Sequence, residues 1–196
     1  FIVLHAYGSH FNYKERYPES MSVFKPDNLT DAKYENKEYL MNAYDNTIRY
    51  TDGFLASLIT LLQKTNSFSA MLYTSDHGED IFDDDRKLFL HASPVPSYYQ
   101  LHVPFLIWMS EAYRKRYPVQ YEAVCMNREK PVAGNASVFH SMLSLGGIQT
   151  DYKEDSLSVA SKRYVIRPRY YLNDHNLPKL LDKIGLKEKD IKQLEQ

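Results

Sequence analysis

The chain is poor in the features that usually assign a protein at sight. It has one cysteine, Cys125, so no disulfide can form within its 196 residues, and cysteine usage does not separate an oxidising compartment from a reducing one. No apolar run approaches the ~18 residues of a membrane-spanning helix. The first ten residues, FIVLHAYGSH, have neither the basic start nor the length of a secretory leader. An excess of either charge is also missing: 24 Lys and Arg face 25 Asp and Glu, a net charge of -1. That leaves no basic field for nucleic acid or an anionic membrane surface. There is no internal repeat and no low-complexity tract. The length suits one domain with a sizeable core better than two.

What is present alternates between apolar runs and helical periodicity. FIVL (1–4), SAMLYT (69–74) and VPFLIWM (103–109) read as buried strands. Between the first two lies a Pro- and Tyr-containing stretch of about 30 residues with no regular period, the kind of loop that is usually functional or disordered. A helix follows it, with Leu40, Tyr44, Ile48, Leu55, Leu58, Ile59 and Leu62 on one face. SVFHSMLSLGGI (137–148) reads as a short helix stopped by Gly146-Gly147. YVIRPRYYL reads as an edge strand, since Pro168 cannot donate to a ladder; a charged, helix-prone tail follows. Strand, helix, strand, loop, strand implies an α/β fold with a mostly parallel sheet. The chain opens at Phe1 on a strand-like run with no methionine, so the expectation is a domain incomplete at its N-terminus.

The polar residues cluster where these strands end. His5 and His10 follow the first, Asp76, His77 and Glu79 the second, and His91 and His102 precede the third. In an open parallel sheet such positions share one edge, where ligands bind. Imidazole and carboxylate are the usual zinc ligands, and Asp76 and His77 can turn to one ion once the strand has ended, with Gly78 supplying a tight turn. SDHGED also fits a plain polar turn, because Asp and Gly are common turn residues. His5 and His102 fit hydrogen-bonded core positions, His140 fits helix packing, and His175 fits a turn.

Taken in order, VLHAYGSH, RYP, NAYDNTIRYTD, YTSDHGED, LHASP and HVPFLIWMS resemble the lipid phosphoethanolamine transferases, a sulfatase-like branch of the alkaline phosphatase superfamily. The resemblance is close over about residues 1–110 and weaker beyond. It implies a three-layer α/β/α alkaline-phosphatase-like domain, of which residues 1–196 are the C-terminal portion. By that resemblance Asp76 and His77 are zinc ligands, Glu79 is an active-site glutamate, and His10 and His91 hold substrate phosphate or a second zinc. His5 is a weaker candidate.

The activity implied is zinc-dependent transfer of phosphoethanolamine from phosphatidylethanolamine, a phospholipid donor, to lipid A or another envelope glycan through a phosphothreonine. The threonine lies upstream of Phe1, and Thr74 does not match it. The implied setting is the bacterial inner membrane, reached through a missing N-terminal region, with a monomeric catalytic domain in the periplasm and no nucleic-acid partner. GSHFN stands where the family usually has GSHGP, and the lone cysteine departs from disulfide-stapled members. Two alternatives remain. A sulfatase or phosphatase of the same fold would hydrolyse its ester, although Cys125-Met126-Asn127-Arg128 lacks the Cys-x-Pro-x-Arg pattern of arylsulfatases. A non-catalytic envelope-binding domain would keep the fold without the chemistry.

Overall fold

The computed structural model describes residues 1–91, 93–132, 134–173, 175–181 and 187–194. Packing divides the chain into two compact units, one of Phe1–Leu61 with Glu79–His91 and one of Leu62–Gly78 with Ala92–Gln196.

The first unit is organised by the N-terminal half of helix α1 (Lys37–Lys64), whose buried residues Leu40, Ala43, Asn46 and Thr47 repeat at three- and four-residue spacing. Leu40 and Ala43 pack with Tyr13, Tyr17, Ile81 and Phe82, and the edge-on rings of Phe11, Tyr13 and Tyr44 extend that cluster. The long segment before α1 carries only short 3-10 turns, at Tyr13–Arg16, Glu19–Met21 and Tyr34–Asn36. Buried polar groups hold it instead. The Asp27 carboxylate accepts from Lys14 Nζ at 2.8 Å, from the Tyr17 hydroxyl at 2.8 Å and from the Ser22 hydroxyl. Asn46, fully buried on α1, accepts the Val23 and Phe24 N–H groups at 2.8 and 2.9 Å and donates to the Phe24 carbonyl at 2.9 Å. Backbone groups that no ladder satisfies are thus met by a side-chain amide.

The second unit contains β1 (Ala70–Thr74) and β4 (Phe105–Met109), paired antiparallel with Ala70 opposite Met109 and Thr74 opposite Phe105. Helices α3 (Glu111–Arg116), α4 (Pro118–Asn127) and α5 (Gly134–Leu145) follow. The first two starts are legible: the Ser110 hydroxyl accepts the Tyr113 N–H to cap α3, and Pro118 opens α4 where a missing N–H costs nothing. Helix α5 ends as the Gly-Gly pair demands, with Gly147 at φ +65° and the Ile148 N–H returning to the Leu143 carbonyl. Met109, Tyr113, Leu145 and Ala160 form the core, and the Tyr113 hydroxyl donates to the Leu145 carbonyl at 2.6 Å. Burial, with Tyr117 as a second cause, pushes that phenol up to about 12.

Three expectations need correction. Phe1–Leu4 is exposed and forms no strand, because an apolar run becomes a strand only against a partner, and none of the described strands pairs with it. The described ladders are all antiparallel rather than mostly parallel: the chain between β1 and β4 contains a hairpin and one short helical turn, not the crossover helix that parallel neighbours need. The tail strand is only β5 (Tyr170–Leu172), which pairs with β6 (Pro178–Leu180), Pro168 lying outside it. Part of the helix-prone tail, residues 182–186 and 195–196, lies outside the described residues. No helix among the described residues is long and apolar enough to cross a membrane.

Candidate metal centre

The stretch from Ser75 to His102 reads as one polar loop, but it contains a hairpin of two-residue strands, β2 (Asp80–Ile81) and β3 (Phe89–Leu90). Asp80 pairs with Leu90 and Ile81 with Phe89, so one step outward the register sets Glu79 opposite His91. His91 Nδ1 and Glu79 Oε1 are 3.0 Å apart, and the Glu79 side chain is almost fully buried. The hairpin closes through the Phe82 N–H to the Leu88 carbonyl at 2.8 Å and a part-buried Asp84–Arg86 ion pair at 2.6 Å. Phe82, Lys87 and Leu90 adopt positive φ, an uncommon conformation for side-chain-bearing residues, with Leu90 immediately before His91.

His10 stands beside His91, their rings edge-on with centroids 6.3 Å apart. Arg16 of the RYP motif holds the His10 backbone: its Nε donates to the His10 carbonyl at 3.0 Å while its guanidinium lies over the Tyr7 ring at 4.1 Å. Tyr13 is fully buried in the same unit and its hydroxyl has no hydrogen-bond partner among the described residues. Burial, then the negative charge of Glu79, pushes its pKa far up, so the phenol stays neutral.

Residues 75–78 follow the end of β1. The Ser75 hydroxyl donates to the His77 carbonyl at 2.8 Å, and the His77 N–H donates to Asp76 Oδ1 at 3.1 Å. Asp76 is exposed, its other oxygen 3.9 Å from His77 Nε2. Gly78 is required for a reason other than the turn expected of it: a Cβ there would lie 2.0 Å from the Tyr99 carbonyl oxygen. Only Gly permits so close an approach. His77 and Glu79 are two residues apart in the sequence, and the hairpin brings Glu79 and His91 together.

The remaining histidines divide. His102 stacks on Tyr98, its Nδ1 2.6 Å from the Tyr98 hydroxyl, and His140 Nδ1 accepts the Glu154 N–H at 3.0 Å. His175 sits in an Asn173 turn as its sequence suggests, and His5 is exposed.

A family model described as Sulfatase matches residues 1–148. The chain belongs to the sulfatase family. Within it, the chain is 35% identical over 159 residues to phosphoethanolamine transferase EptA of Salmonella typhimurium, a match covering 77% of this chain and 28% of that protein. It is 37% identical over 114 residues to the Kdo(2)-lipid A phosphoethanolamine 7''-transferase of Escherichia coli, covering 57% and 19%. The C-terminal periplasmic domain of EptC from Escherichia coli, solved as a complex with Zn, superposes with a TM-score of 0.75 at 25% identity, covering 94% of this chain and 52% of that one. The chain therefore spans less than a third of these curated relatives and about half of the solved domain.

Proposed function

We propose that residues 1–196 are the C-terminal portion of a single sulfatase-like catalytic domain that transfers phosphoethanolamine from phosphatidylethanolamine to lipid A or another envelope glycan. The observation that carries this reading is the pairing of the buried Glu79 with His91 across the hairpin, with His10 beside them, in a chain whose relatives are named phosphoethanolamine transferases. In the complete domain the β1–β4 pair would belong to the sheet of a three-layer α/β/α, alkaline-phosphatase-like fold, facing the periplasm as the EptC domain does by its description.

Imidazole nitrogen and carboxylate oxygen are the donors zinc takes; His77 Nε2 and Asp76 Oδ2, 3.9 Å apart, offer one of each, so Asp76 and His77 are the residues that would hold the ion. Bound zinc would polarise a phosphoryl oxygen and lower the pKa of an attacking hydroxyl. Glu79 engages His91 Nδ1 and fixes that ring, which leaves Nε2 to do the substrate chemistry. His10, beside it, donates to a phosphoryl oxygen. A threonine hydroxyl outside these residues gives its proton to a histidine and attacks phosphorus; the bond from phosphorus to the diacylglycerol oxygen breaks, and that oxygen takes a proton from a histidine. A hydroxyl or phosphate oxygen of the acceptor then bonds to phosphorus, the phosphorus–threonine oxygen bond breaks, and the threonine oxygen regains a proton.

The test is mass spectrometry of envelope lipids from cells expressing the complete protein, beside His77→Ala. A phosphoethanolamine-sized addition to lipid A, lost in the variant, is expected. Unchanged lipids from a stable, zinc-loaded protein would overturn the transferase and direct attention to ester hydrolysis.

A further inference from the structure

The sulfatase match ends at residue 148, and the tail beyond it carries no role in the proposed reaction. One of its residues nevertheless reaches the segment that bears His77. Asp190, in the short helix α6 (Glu188–Leu194), is fully buried. Its Oδ2 accepts the Lys187 N–H at 3.2 Å, at the start of its own helix. Its Oδ1 accepts the Tyr98 N–H at 3.0 Å, the first amide of the helical turn α2 (Tyr98–Leu101). One carboxylate therefore satisfies backbone donors at two helix starts, groups that have no partner inside the helix.

The turn held in this way grips Gly78. The Gln100 carbonyl accepts the Gly78 N–H at 2.9 Å, and the Tyr99 carbonyl occupies the space a Gly78 Cβ would need. Ser97 caps the same turn through the Tyr99 N–H at 3.1 Å, and the Tyr98 hydroxyl reaches His102 at its far end. Movement of α2 would shift Gly78, and with it the neighbouring His77.

We infer that Asp190 is a positioning residue for the His77 segment, acting through α2 and its clamp on Gly78. The inference rests on the reading of His77 as a zinc ligand only for its catalytic consequence. The test is hydrogen–deuterium exchange on the full 196-residue chain without added metal, followed by zinc titration against a chromophoric chelator. In Asp190→Ala the Gly78 amide should exchange about tenfold faster or more, as expected for loss of a hydrogen bond from a charged acceptor, while amides of α5 are unchanged and zinc affinity falls. Asp190→Asn, which keeps an acceptor for the Tyr98 N–H, should recover most of the protection. Glu188→Ala, which among the described residues removes the exposed Glu188–Lys192 pair, should change nothing at Gly78. Unchanged Gly78 exchange in Asp190→Ala, or equal acceleration throughout the chain, would overturn the inference. If Asp190→Ala fails to fold, Asp190→Asn decides: Gly78 exchange moderately faster than in the unsubstituted chain, with α5 still protected, is expected from the loss of the charged acceptor, and Gly78 exchange unchanged, or accelerated equally with α5, would overturn it. Failure of the unsubstituted chain to take up zinc would count against the zinc reading alone, since the exchange result is independent of metal.

Discussion

Residues 11–36 and residues 75–102 are both long and both lack a regular period, yet different groups order them. The first is sewn down by side chains: Asp27 gathers Lys14, Tyr17 and Ser22, and Asn46 reaches from α1 to the backbone of Val23 and Phe24. The second is ordered by backbone: a two-residue ladder sets Glu79 opposite His91, and α2 presses its carbonyls against Gly78. The contrast suits the roles proposed for them. A scaffold can rest on a charge cluster, whereas a site that must hold ligand atoms in register gains more from backbone geometry that cannot rotate away.

The sharpest way to break this comparison is Asp27→Ala. Asp27 is buried and accepts from Lys14, Tyr17 and Ser22 at once; Lys14 would keep Glu19, but the two hydroxyls would lose their charged acceptor, so a loss of about 3–5 kcal/mol is expected in urea denaturation of the chain. A loss below about 1 kcal/mol would mean the segment is held by its aromatic contacts instead.

Acid should produce the same failure without mutation. Burial pushes the Asp27 carboxyl up, but the hydrogen bonds from Lys14, Ser22 and Tyr17 and the Lys14 charge outweigh it and leave the pKa at about 2. A depressed carboxylate contributes stability above its unfolded pKa of about 4 and loses it as pH falls through the folded value. Stability of the unsubstituted chain should therefore drop between about pH 4 and pH 2. In Asp27→Asn that drop should be smaller, and an identical acid limb in both proteins would remove Asp27 as its cause.

Asn46→Ala should cost about 2–3 kcal/mol, because it leaves the Val23 and Phe24 amides and the Phe24 carbonyl without their partner. Gly78→Ala tests the other segment and should cost about 1–3 kcal/mol by overpacking against the Tyr99 carbonyl. It should also weaken zinc binding, which Asn46→Ala should leave alone. If both variants lost zinc equally, the separation of scaffold from site would fail.

The sequence revealed these segments unequally. SDHGED announces itself because a run of five strand residues stops at Thr74 and several metal-binding side chains follow at once. The opposition of Glu79 and His91 is invisible, since two-residue strands are too short for alternation to show and the DDDR turn reads only as polar. Asp27, Asn46 and Asp190 are equally hidden: Asp and Asn are ordinary in turns and on helix surfaces, and only the fold shows that these three are buried. FIVL misled in the opposite direction, because apolar composition identifies a strand only when a neighbour exists to pair with it.

The smallest effect expected is at Lys162 and Glu122, whose charged atoms are 2.6 Å apart, closer than any contact Lys14 makes to Asp27. Both side chains are about half exposed, so water competes for each charge, and ordering two long side chains offsets most of the Coulomb gain. A double-mutant cycle should return about 0.5 kcal/mol or less. A coupling above about 1 kcal/mol would show that distance alone sets the strength of an ion pair in this protein, and the weight placed on burial at Asp27 would then have no basis.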